Sequence, residues 1–210
     1  MQAGLVIGYD PGGNNAHGLA ELQVRDGQPT QLLTRTLATA EDVVSFFYSR
    51  PFLTAVGVDT LTCWSTGPSG WRPADRWLRQ RYPDVRNSVV APNGLYGSMG
   101  LNGMAVLVSA RQRFQDVIIT ETHPKVLYWQ IARARYDYAN CREEMDGALA
   151  SRLGIVVAPQ TEHEWDAAIS ALAALQSSEG RWPHDLHRTA TAANERLIEP
   201  CGKTRYSWPE

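Results

Sequence analysis

The chain has 210 residues, of which 43% are hydrophobic and 20% charged, with a formal net charge of -2. That length suits one domain with a buried core and excludes two full-sized ones. The composition excludes general disorder, and the charge excludes a wholesale basic coat for nucleic acid.

The first elements read as a meander. Leu5 to Tyr9 is a short apolar run that ends at Asp10, followed by the turn Pro11-Gly12-Gly13-Asn14-Asn15. Leu19 to Val24 alternates apolar and polar residues, Asp26-Gly27-Gln28-Pro29 is a hairpin signal, and Gln31 to Leu37 is a third strand. The period then changes: Thr39 caps a short helix through Tyr48 that stops near Pro51. Phe52 to Val58 is apolar nearly throughout, as a strand buried on both faces would be, and ends at Asp59.

Pro73 to Tyr82 has helical spacing, and the glycine-rich stretch Pro92 to Gly103 is expected to be a loop feeding a helix through Arg113. Val117 to Thr120 is a fifth strand ending at Glu121, and Pro124 opens another helix. Residues 141–152 and 162–176 read as two further helices, the second rich in alanine. These elements predict a single α/β domain over residues 1–188, with a mixed five-stranded sheet flanked by helices and a tail, 189–210, packed on it.

Three predicted strands therefore end in an acid: Asp10, Asp59 and Glu121. Ligand sites of open α/β sheets gather outside the carboxyl ends of the strands. Asp166, in the first turn of the last long helix, would complete a group of four. Carboxylates that converge repel one another and normally hold cations, and oxygen-only ligation favours Mg²⁺ or Mn²⁺. An acid at a strand end is also often a turn residue or a helix cap, so the shared placement carries the argument.

The order of elements, with Asp at the ends of strands one and four, resembles the ribonuclease H-like superfamily, and more closely the DUF429 family of nucleases. The resemblance rests on Val6-Ile-Gly-Tyr-Asp-Pro-Gly-Gly13, Gly57-Val-Asp-Thr60, Pro92 to Gly103, Glu121-Thr-His-Pro-Lys125, Glu162-His-Glu-Trp-Asp-Ala-Ala168 and Gly180 to His187. It implies a metal-dependent nuclease whose acids are Asp10, Asp59, Glu121 and Asp166, although this chain places Asp, rather than a longer Glu, at position 59. The expected mechanism is two-metal hydrolysis of a phosphodiester in a nucleic acid or oligonucleotide, with Asp10 bridging two ions about 4 Å apart.

Weaker signals surround this group. Arg72, Arg76 and Arg79 share one helical face and read either as a phosphate-tracking ridge or as an ordinary solvated helix. His123 and Lys125 follow Glu121 closely and are candidate substrate contacts. Trp64 and Trp71 read as stacking platforms or as core. His163, beside Asp166, and His184 and His187, in the tail, are minor candidates, and Cys63 has no evident paired histidine. Asp10 to Asn15 also resembles the first phosphate loop of sugar kinases and actin-like ATPases, so an ATP-dependent phosphotransferase is one alternative reading and a non-catalytic nucleic-acid or nucleotide-binding module another. No apolar run approaches the roughly 18–20 residues that cross a bilayer, so no membrane partner is expected. Three cysteines without CxxC spacing and no export signal point to a reduced, cytoplasmic protein.

Overall fold

The computed structural model describes residues 3–67, 70–91, 97–189 and 195–209. Strands β1 (Ala3–Asp10), β2 (His17–Arg25) and β3 (Gln28–Leu37) form the antiparallel meander. Its β2–β3 turn places Asp26 and Gly27 at φ 49° and 74°, the left-handed pair that a tight hairpin needs. Helix α1 (Ala40–Tyr48) follows, with Thr39 and Asp42 forming a reciprocal cap. Strand β4 (Ala55–Val58) lies parallel to β1, and β6 (Ile118–Glu121) parallel to β4, giving the sheet order β3-β2-β1-β4-β6. The two-residue β5 (Trp64–Ser65) lies between β4 and β6 in sequence. The mixed five-stranded α/β sheet is the one expected from the sequence.

Two elements differ from expectation. Residues 52–54 precede β4 rather than open it, and Phe52 is exposed. The glycine-rich stretch is helical from Gly97, as part of α3 (Gly97–Arg113), so only residues 92–96 of the expected loop remain, and they lie outside the described residues. Glycine costs a helix about 1 kcal/mol per residue. Here Gly103 is needed for contact: a Cβ there would lie 2.4 Å from the Thr60 side chain.

Pleat alternation divides the core. Leu5, Ile7 and Tyr9 face one side with Val56, Val58 and Ile119, against Val43 and Phe47 of α1 and Val106 and Leu107 of α3. Val6, Ala20 and Leu22 face the other side, against α6 (Glu162–Ser178). Fully burying each large aliphatic side chain contributes about 1.5–3 kcal/mol. Helix α6 lies with its backbone almost on the strands. A Cβ at Gly8 would sit 1.7 Å from the Ala167 carbonyl oxygen, and one at Gly57 would sit 1.9 Å from that of Ser170. The alanines of α6 and the glycines of the two central strands therefore let helix and sheet meet without a layer of side chains between them.

Among the described residues the remaining α-helices are α2 (Pro73–Arg81), α4 (Pro124–Ala132) and α5 (Arg142–Leu153). Three further short strands are β7 (His184–Asp185), β8 (Leu197–Ile198) and β9 (Ser207–Trp208), with β7 paired to β9 and β8 to β5. Trp208 is buried and its indole N–H donates to the Tyr82 hydroxyl at 2.7 Å. Arg205 exchanges backbone hydrogen bonds with the end of β6, which protects that sheet edge.

Candidate metal centre and its flanking ion network

Asp10 closes β1 and Asp59 follows β4. Because Tyr9 and Val58 are paired in the parallel register, the two aspartates stand side by side on adjacent strands, and the Asp59 backbone N–H donates to the Tyr9 carbonyl at 3.0 Å. Both follow residues that face α1 and α3, so the pleat turns them towards α6. Asp166 comes from that helix. Its first turn is fixed by Thr161, which accepts from the Glu164 N–H, and by buried Glu164, which accepts from Thr34, Thr36 and the Gln160 N–H. His163, three residues before Asp166 and on the same helical face, places Nδ1 2.6 Å from Oδ2 of Asp10.

The three aspartates are only partly compensated. Burial raises the carboxyl of Asp166 well above its usual range, and the charges of Asp10 and Asp59 add to the rise. Burial and Asp10 do the same to Asp59. Asp10 is also raised by burial, with His163 pulling the other way, and the His163 imidazole is raised in return. Lys125, exposed at the start of α4, is the cation that offsets all three. Oδ1 of Asp166 is buried and makes no well-aligned hydrogen bond among the described residues; the hydroxyl of Tyr136 stands beside the carboxyl and lowers it, against the larger effect of burial. Mutually repelling oxygens that the protein only partly neutralises fit a divalent cation.

Glu121 is different. It is in register with Val58, and hence with Tyr9, so the pleat turns it away from the face where Asp10 and Asp59 lie. Both of its oxygens accept from the Arg72 guanidinium, at 2.5 and 2.8 Å, and one also accepts from the backbone N–H and hydroxyl of Thr62. Burial alone would raise Glu121, but Arg72 and His187 overcome it and hold the carboxyl far below the usual range. The structure thus sets Glu121 apart from the three aspartates: it accepts from Arg72 and Thr62 rather than facing Asp10 and Asp59.

Arg72 belongs to the same buried network. Its side chain is 2% exposed and also pairs with Asp75, so it is no part of an exposed phosphate ridge. Arg76 pairs with Glu195 at 3.1 Å, and Arg79 donates to the Arg86 and Val89 carbonyls while lying over the Trp71 ring. Cys63 does have a histidine partner: its sulfur lies 3.6 Å from Nε2 of His187, which is also 3.5 Å from Glu121. Burial would lower His187, but Cys63 and Glu121 push it up to about 10. Cys63, Glu121 and His187 bring ligand-type atoms within 4.8 Å of one another, yet Arg72 and protonated His187 already supply the positive charge there.

Between the two groups opens a cavity of about 600 Å³, lined among others by Asp59, Arg72, Glu121, His123 and Lys125. His123 donates from Nε2 to the Ser88 carbonyl, and burial pushes its pKa down to about 4, so the ring is neutral.

The sequence ranked His163 low, and its only signal there was the spacing to Asp166. The hydrogen bond to Asp10 spans 153 residues and depends on how α6 crosses the sheet.

Strand order, parallel and antiparallel pairing and flanking helices define a ribonuclease H-like fold. A chain of Thermus thermophilus RuvC in complex with Holliday junction substrate shares it, with a TM-score of 0.51 and 20% identity over 85% of this chain and 95% of that one. A further Thermus thermophilus RuvC structure aligns over 84% and 95% of the two chains, with a TM-score of 0.45 and 20% identity. No family model matches the chain, and no curated protein sequence does. Among the described residues no helix is long and apolar enough to cross a membrane.

Proposed function

We propose that the chain is a divalent-metal-dependent nuclease, akin to the DUF429 family, in which Asp10, Asp59 and Asp166 hold Mg²⁺ or Mn²⁺. The observation that carries this reading is the convergence of three buried aspartates whose charges raise one another and are only partly offset by His163, Lys125 and Tyr136. The ribonuclease H-like fold, shared with a RuvC chain described in complex with Holliday junction substrate, supports nucleic acid as the substrate class.

Bound cations would supply a water of lowered pKa and polarise the phosphoryl oxygens. The chain's own groups do the rest. His163 holds Asp10 through Nδ1 and so fixes which carboxylate oxygen is offered to the metal. Lys125 stands beside the aspartates and meets the phosphate charge. No covalent intermediate is required. Three free cysteines, two of them buried, suit the cytoplasmic placement we infer.

The test is cleavage of labelled single-stranded, duplex and branched DNA and RNA with Mn²⁺, run beside Asp10→Asn. Cleavage by the wild type that is lost in the variant is the expected result. Equal cleavage by both proteins, or none by the wild type, contradicts the proposal.

A further inference from the structure

We infer that the cavity beside Asp59 receives a single unstacked nucleobase, so that the substrate is a strand with a base free to leave its stack: single-stranded or distorted, not a continuous duplex. This rests on the nuclease reading above and deepens it. Small-molecule sites typically have volumes of about 300–1,000 Å³. The cavity's 600 Å³ falls in that range, which suits one nucleoside and is too small for a base pair and its neighbours.

Its chemistry selects a base over a phosphate. Leu61, Val89, Val90 and Met99 are among its lining residues and give it aliphatic surface for the face of a ring. Asn87, exposed, also lines it and offers a side-chain amide to a ring edge. The guanidinium in the wall, Arg72, is consumed by Asp75 and Glu121 and so has no donor pair free to clamp a phosphate placed inside. The cation without an ion-pair partner among the lining residues is Lys125, which also faces the aspartates. Asp59 belongs both to the metal group and to the cavity wall. A phosphate at the aspartates and a base in the cavity are therefore parts of neighbouring nucleotide units. Enzymes that take a base out of its stack read it by a fitted pocket, through stacking on apolar side chains and hydrogen bonds to its edge.

The test reads base burial directly. Oligonucleotides carrying one 2-aminopurine at successive positions are titrated with metal-free wild type, Val90→Trp and Asn87→Ala. Val90 is 45% exposed, so its replacement fills the mouth from the rim without entering the core; Asn87→Ala leaves the cavity open and removes a polar edge. Thermal melting and Mn²⁺ titration serve as controls for folding and for the metal group. The expected result is a rise in fluorescence at one position with the wild type, lost in Val90→Trp together with about tenfold in affinity, while Mn²⁺ binding is unchanged. Asn87→Ala should keep the rise with weaker binding. A flat signal with the wild type, or an identical rise with Val90→Trp, overturns the inference. Failure of the nuclease reading is separate: it shows as absent Mn²⁺ binding and absent cleavage, whatever the fluorescence does.

Discussion

Two groups of acids stand at the same edge of one sheet and are treated in opposite ways. Glu121 is surrounded by Arg72, Thr62 and His187, and its charge is neutralised by the protein. Asp10, Asp59 and Asp166 face one another with one histidine hydrogen bond and one exposed lysine between them. A difference of one residue in strand register separates the two. It puts Glu121 level with Val58 and Asp59 one step beyond it, so the pleat sends their side chains to opposite faces. Position at a strand end is shared; only the second group is left needing a cation from outside.

The largest effect should come from breaking the compensated group. Removing one partner of a buried ion pair costs about 3–5 kcal/mol, so Glu121→Gln should lower the melting temperature sharply. The sign with pH follows from its depressed carboxyl. Its contribution is present above the unfolded carboxylate pKa and is lost as pH falls through the folded value, so wild type and variant should converge in strong acid. A small loss at neutral pH would count against the ion network. His163→Ala should leave stability nearly unchanged and weaken Mn²⁺ binding by about 10- to 100-fold, the usual effect of removing a group that orients a ligand; calorimetric titration measures this. The smallest effect has the opposite sign. Asp166→Asn should stabilise the metal-free protein at pH 8, by on the order of 1 kcal/mol per pKa unit of the rise it relieves. A carboxyl raised in the folded state favours folding at low pH and ceases to do so as pH rises through its folded value. The gain from the variant should therefore shrink as pH is lowered.

The sequence made the sheet legible, because alternation in β2, the Asp26-Gly27 turn and the continuous apolar runs of β1 and β4 are local signals. It also drew the eye to four acids at strand ends and the start of α6. It could not separate Glu121 from the others, because the separation depends on register between β4 and β6 and on Arg72, 49 residues away. Arg72 looked like the first residue of an exposed basic face, yet as the residue before Pro73 it turns inward to cap α2 and reach Glu121. The pairing of Cys63 with His187 was equally hidden, since the chain returns to the sheet only in its last quarter. Gly8 and Gly57 read as ordinary strand residues, and only the docked α6 shows that a side chain at either would push Asp166 off the site.

The most direct measurement is calorimetric titration of Mn²⁺ into the wild type, Asp10→Asn and Asp166→Asn at neutral pH. Divalent-ion binding by the wild type that is lost in both variants is the predicted result. Unchanged binding in the two variants would contradict the assignment of the metal to these aspartates.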